Sequence, residues 1–232
     1  MTIADGVRGE RLARAAFDLA RRFASGATMW CVAPEWPEHA RHVAVEFVHP
    51  VIVGKRALPA VAIDGSDPVA ALRAVARSGD ALLAVGRRDQ ATIRDALRRA
   101  PAWGVQTIWL GVGEPPAGTV ADHEVWTGEA SEVAAHDGGL ILLYHLLWEL
   151  THVCFEHPGL LREEAACGDE VCITCSDEGR LGEVVAIEEN QATVRTARGV
   201  ESVDLTLVGG VGVGELVLVH AGVAIAAEPI GR

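Results

Sequence analysis

The stretch SGDALLAVGRRDQATIRDALRRAPAWGVQTIWL, residues 78–110, decides the fold. It opens on a continuous apolar run, Ala81 to Val85, passes through an arginine-rich segment of helical spacing from Gln90 to Arg99, and closes on a second apolar run, Gln106 to Leu110. Both runs are strand-length, and strands alternating with a helix fit a parallel sheet covered on both faces. Asp89 stands just before the helix, where an acidic cap is favoured. The same alternation continues outward on both sides. Further strand-length runs lie at Thr28–Ala33, Leu58–Ile63 and Glu124–Trp126. A helix is expected over Gly9–Ala24, where Leu12, Ala15, Ala16, Leu19, Ala20 and Phe23 recur on one face and Gly26 stops the pattern. Another runs from Pro68 to Arg77, opened by Ser66-Asp67 as a cap with proline in the first position. A last long one covers about Glu132 to Phe155, with Leu140, Leu143, Leu147 and Leu150. Strand alternating with helix predicts an α/β architecture, a parallel sheet covered on both faces.

Beyond Phe155 the character of the chain changes. His157-Pro158-Gly159 breaks the helical pattern, and the acidic, polar stretch from Arg162 to Asp169 reads as a linker. Short β-rich runs follow at Gly182–Ile187, Ala192–Thr196, Val203–Val208 and Leu216–His220, separated by glycine and acidic turns, the pattern of a small all-β barrel or sandwich. The expected organisation is an α/β domain over residues 1–160, a linker over 161–170 and a β domain over 171–232. No internal repeat is visible, and the glycines of GGVGVGE, residues 209–215, follow neither a phosphate-loop nor a dinucleotide spacing.

The chain has 232 residues, half of them apolar and 22% charged, enough to bury a sizeable core. Net charge is 20 − 32 = −12, and residues 151–232 carry 5 basic against 14 acidic groups. Nucleic acid is therefore not an expected partner, since phosphate neutralisation needs a basic face. No run reaches the roughly 18 uninterrupted apolar residues of a membrane span, and MTIADGVRGER lacks the apolar core of a signal peptide. A cytoplasmic protein with no membrane partner is expected. The cysteines number five, three of them in CGDEVCITC at Cys167 to Cys175, which suits reduced thiols used for metal or redox chemistry. The Cys172-x-x-Cys175 pair reads as closing on one metal, as a reversible disulfide, or as thiols in a loop.

Two groups of residues carry possible chemistry. His42 and Glu46 stand four apart, which on a helix puts both side chains on one face about 6 Å apart, a spacing one zinc ion can bridge. A helix-surface pair or a capping contact is the plainer reading. Arg87 and Arg88, at the start of a helix, could hold an anion or form a solvated surface pair. Around them the turns Val32 to Glu38 and Val85 to Asp89 hold two prolines without amide hydrogens and two glutamates, which disfavours phosphate.

The segments VDLTLVG, Val203 to Gly209, and VGELVLVHAGVAI, Val213 to Ile225, resemble the HypC/HupF family of [NiFe]-hydrogenase maturation chaperones. Cys172-Ile173-Thr174 and Leu181 to Val185 echo the family's opening cysteine and its glycine-led strand, so the resemblance covers about residues 171–228. It implies a small β-barrel of OB-like form that carries an iron bearing cyanide and carbonyl ligands, Fe(CN)2CO, together with a HypD-like scaffold protein, and delivers it to the hydrogenase large-subunit precursor. The positions matching the family's opening cysteine and the histidine of its VLVH motif are Cys172 and His220, which the resemblance implies meet the iron. A thiolate and an imidazole suit such a soft or borderline centre. Taken alone, the two read equally as a buried inert cysteine and a core-edge histidine. Cys175 belongs to an insertion, Cys175 to Arg180, that departs from the family, as does a cysteine placed far from the amino terminus.

Residues from about 10 to 155 resemble the sugar isomerase (SIS) domain in its phosphoheptose isomerase branch. The matching stretches are HVAVE (42–46), LPAVAID (58–64), SGDALLAVG (78–86), GVQTIWL (104–110) and DGGLILLYH (137–145). The resemblance implies a five-stranded parallel sandwich that forms homo-oligomers through its helices. It also implies a zinc site in which His42 and Glu46 are joined by Asp137, where the family has glutamine, and by His145. The chaperone role, with a degenerate SIS domain for oligomerisation or docking, is the favoured expectation. The alternatives are a zinc-dependent isomerase of the sedoheptulose 7-phosphate type, with Glu46 as base and His145 as acid, and a metabolite-sensing protein.

Overall fold

The structure is a computed structural model that describes residues 3–65, 67–128, 138–161 and 179–228. The chain forms two compact units, one of Met1–Arg98 with Gln106–Arg162, the other of Arg99–Val105 with Glu163–Arg232.

In the first unit the α-helices are α1 (Ile3–Ala24), α2 (Pro37–Val48), α3 (Pro68–Val75), α4 (Ala91–Arg99) and α5 (Gly138–Glu156). The strands are β1 (Met29–Val32), β2 (Ala60–Ala62), β3 (Ala81–Arg87), β4 (Gln106–Val112) and β5 (His123–Trp126), all parallel, in the order β2-β1-β3-β4-β5. The sheet is the parallel five-stranded one expected. Burial explains the unbroken apolar runs: every residue of β4 and all but Arg87 of β3 lie in the interior. Helix α1 begins earlier than its apolar stripe, and the stripe residues are all buried. Its end is a left-handed cap. Gly26 adopts φ +89°, and the Ala27 amide reaches back to the Arg22 carbonyl. Asp67 caps α3 as its position suggests, accepting from the Ala70 amide at 2.9 Å.

Helix α5 is long and apolar enough by length and composition to cross a membrane. In this fold Leu140, Leu143, Tyr144, Leu147 and Trp148 of α5 join the core formed with α1 and α2, including Leu19, Phe23, Val43 and Phe47. Cys31 and Cys154 are buried, and that burial raises both thiols.

The second unit contains a closed barrel of β6 (Arg180–Glu188), β7 (Gln191–Thr196), β8 (Gly199–Asp204), β9 (Leu216–His220) and β10 (Val223–Glu228), in the order β10-β8-β7-β6-β9. Val184, Ala192, Val194, Val203, Leu205, Val217, Val219 and Ala224 fill it. Irregularities at Val184/Ala186 and Ala224/Ala226 bend two strands enough for such short segments to close. Two details depart from the sequence pattern. The run Val203–Val208 is not one strand: β8 ends at Asp204, whose carboxylate accepts from the Thr206 amide at 2.7 Å and turns the chain. Val223–Glu228 is an additional strand, paired to β9 across Ala221 and Gly222, both at positive φ.

The same unit holds a buried ion pair. Glu183 on β6 is fully buried and accepts from Arg99 Nη1 at 2.7 Å and from Trp103 Nε1 at 2.8 Å, while Arg99 also donates to the Gly214 carbonyl. Sequence gave no hint that residues near 100 would serve the second unit. Removing one partner of such a pair leaves an uncompensated charge in the interior. Arg99→Ala should therefore lower stability by about 3–5 kcal/mol in guanidinium unfolding, and replacing both members, Arg99→Met with Glu183→Leu, should recover most of that loss.

Candidate functional site

Parallel order places α2 directly after β1, at the fork where β1 neighbours β2 on one side and β3 on the other. Such a fork is the usual ligand crevice of open α/β sheets. Trp36 precedes α2, and Pro37 opens it, its fixed φ suited to a first helical position. Five residues on, His42 and Glu46 share one face. Helix α5 packs against α2 and brings Tyr144 and His145 to that face.

Three potential ligand atoms converge there. His42 Nε2 lies 3.3 Å from Glu46 Oε1 and 3.3 Å from His145 Nε2, and His145 Nε2 lies 3.7 Å from Glu46 Oε1. Ligand atoms held about 2.1 Å from a tetrahedral zinc ion stand roughly 3.4 Å from one another. The three donors therefore already mark three corners of such a site. Two neutral imidazoles and one carboxylate are a suitable set for zinc, and all three side chains are half-buried, open to a fourth ligand. Among the described residues this is the one group of three or more His, Cys, Asp or Glu so placed.

A ring of aromatic side chains lines the approach. Trp36 meets His39 edge-on at 6.1 Å, His39 meets Tyr144 at 6.0 Å, and Tyr144 meets both His42 and His145 at 5.1 and 5.3 Å. The Tyr144 hydroxyl lies 2.8 Å from His42 Nδ1. Burial, with the Glu46 carboxylate adding to it, pushes the Tyr144 hydroxyl up to about 12, so it stays protonated at neutral pH.

Across the fork, Arg87 at the end of β3 is exposed but paired. Its Nη2 lies 2.6 Å from Glu35 Oε2, its guanidinium stands 5.8 Å over the Trp36 ring, and Asp89 lies 3.5 Å away. Arg88 is exposed. A Cβ at Gly86 beneath them would lie 2.0 Å from Gln90 Oε1 and 2.5 Å from Ile93 Cδ1, so both side chains would have to shift to admit one.

Residues 180–227 match the sequence model of the HupF/HypC family. That interval is the barrel itself, β6 to β10. The α/β architecture is shared with solved phosphoheptose isomerases. One from Francisella tularensis aligns at 18% identity and a TM-score of 0.53, over 62% of this chain and 86% of that one. Another from Neisseria gonorrhoeae aligns at 17% and 0.53, over 63% and 88%. No curated protein sequence matches the chain. The chain thus joins an SIS-type fold to a HupF/HypC-like barrel.

Of the site residues expected from sequence, the structure brings His42, Glu46 and His145 together. Asp137, Cys172 and Cys175, with Cys167, lie outside the described residues. His220, at the end of β9, is half-buried. Of the histidines with no expected role, His152 is in the core with its ring nitrogens against the carbonyls of Trp148 and Arg56, and His123 pairs with Asp18 at 2.9 Å. Tyr144 was not anticipated. It lies in the quoted DGGLILLYH stretch beside His145, but an aromatic residue on an apolar helix carries no signal of a polar role.

If the three donors hold an ion, the full chain should purify with, or take up, about one zinc per chain. His42→Ala should abolish the uptake, as read by elemental analysis after dialysis against micromolar zinc.

Proposed function

We propose that the chain is a hydrogenase-maturation chaperone of the HupF/HypC type. Its barrel takes up Fe(CN)2CO as cargo through Cys172 and His220, with Cys175 alongside. The cargo comes from a HypD-like scaffold and passes to the large-subunit precursor. The observation that carries this reading is the family match, which spans 180–227 and so covers nearly every described barrel residue. A thiolate and an imidazole suit the iron chemically. In this reading residues 1–160 are a docking and oligomerisation module, 161–170 the linker and 171–232 the iron-handling domain, all in the cytoplasm. Val45, Leu142 and Leu146, exposed on the helices that carry the histidine cluster, support a second copy of the chain as a neighbour. Zinc at His42, Glu46 and His145, with Asp137 as a further ligand, would hold α2 to α5.

The reading is tested by co-purification. Cys172→Ala should abolish capture of the scaffold protein by the tagged chain, and a complex recovered in undiminished yield would overturn the assignment.

The histidine cluster favours a second reading, a zinc-dependent isomerase. In it Glu46 would remove a proton, His145 would return one, and the ion would polarise a carbonyl. A phosphorylated substrate needs its anion anchored before proton transfer can be directed. At this fork the arginine that could do so is already bound by Glu35. The wild-type chain loaded with zinc is accordingly expected to show no turnover of sedoheptulose 7-phosphate, and measurable turnover would favour the enzyme. Glu35→Gln should free Arg87, so that millimolar phosphate raises the melting temperature of the variant and leaves that of the wild type unchanged.

A further inference from the structure

One polar contact in the histidine cluster has no part in the ligand set. Tyr144 is 1% exposed, on α5 directly before His145, and its hydroxyl meets His42 Nδ1 at 2.8 Å. That nitrogen is the one turned away from the cluster. His42 Nε2 is the atom 3.3 Å from both Glu46 and His145.

A neutral imidazole carries one proton on two nitrogens. When Nε2 gives its lone pair to an ion, the proton must sit on Nδ1 and needs an acceptor. When the site is empty, Nε2–H can donate to Glu46, and Nδ1 then needs a donor. A hydroxyl is one of the few groups that supplies both, with one hydrogen and two lone pairs on the same oxygen. A carboxylate or a backbone carbonyl in its place could only accept.

The geometry points to Tyr144 as the positioning residue that commits His42 to bind a divalent ion through Nε2. Its oxygen accepts from Nδ1–H in the loaded site, and its hydrogen is donated to Nδ1 in the empty one. The ring keeps one orientation in both states, and loading requires only a rotation of the O–H bond and a proton shift within His42. The edge contacts of Tyr144 with His39, His42 and His145 are those of a phenyl ring and would survive loss of the oxygen. This inference rests on the reading that His42, Glu46 and His145 hold a metal.

The experiment compares the full wild-type chain with Tyr144→Phe by zinc titration against a chromophoric chelator. A long-range 1H–15N spectrum of zinc-loaded, histidine-labelled wild type is recorded alongside. Loss of a partner to the far nitrogen of a ligating histidine typically weakens binding about 10–100-fold, and a drop of that size is expected with the far-ultraviolet circular dichroism unchanged. The spectrum should show His42 protonated at Nδ1 and coordinated at Nε2. A variant affinity within about twofold of wild type, or coordination through Nδ1, would overturn the proposal. If Tyr144→Phe does not fold, the wild-type spectrum decides alone. A wild-type chain that takes up no divalent ion removes the metal reading and this proposal with it, whereas an unchanged variant removes the role of Tyr144 only.

Discussion

Parallel pairing is the constraint from which the first unit follows. Two parallel strands cannot be joined by a tight turn, so each connection in the sheet must cross a face, and here α2, α3 and α4 do so. With β1 flanked by β2 and β3, the segment leaving β1 has to start at the fork and descend along the sheet as α2. That single requirement puts Trp36 at the fork and the His42–Glu46 face one turn further on. Helix α5 closes the arrangement because its apolar side, Leu140, Tyr144 and Leu147, needs the same core that α1 and α2 build. His145 is delivered to His42 by core packing, not by any attraction between the two imidazoles.

Much of this was legible in the residues, and the reason is physical. Ala81–Val85 and Ile108–Leu110 are apolar throughout because both faces of β3 and β4 are covered. His42 and Glu46 were visible because helical spacing is local, and His145 because a family resemblance supplied what spacing could not. The Arg99–Glu183 pair was invisible for the opposite reason. An arginine near the end of an arginine-rich helix looks like a solvated residue, and only the three-dimensional contact shows it buried beside Trp103. The run Val203–Val208 misled because β-branched and apolar residues continue past the point where the Asp204 side chain captures the backbone of Thr206.

The two units solve the problem of small cores differently. The first buries large side chains, Trp103 aside, in a continuous cluster between sheet and helices, with Phe47, Met29, Leu19 and Tyr144 fully enclosed. Among the described residues, the barrel's buried apolar cluster is built of valine, alanine and leucine, small groups that fit a narrow closed sheet. Its buried Glu183 is met by partners from outside the barrel strands, Arg99 and Trp103. A buried carboxylate of this kind contributes little net stability when paired and costs much when not.

The SIS-type unit combines turns that disfavour an anion with three potential metal donors, His42, Glu46 and His145, brought together on two helices, and the two features are physically separable. Phosphate is held by backbone amides and small hydroxyl residues at helix starts, so it depends on loop conformation and on the absence of nearby carboxylates. Pro34 and Pro37 remove amide hydrogens there, and Glu35 occupies Arg87. The donors His42, Glu46 and His145 depend instead on side chains projecting from the middle of two packed helices, whose positions are fixed by Val43, Phe47, Leu143 and Leu147 beneath them. Changes in the turns leave that packing untouched. The seat for a phosphorylated ligand and the geometry for an ion can therefore vary independently, because one rests on turns and the other on helix faces.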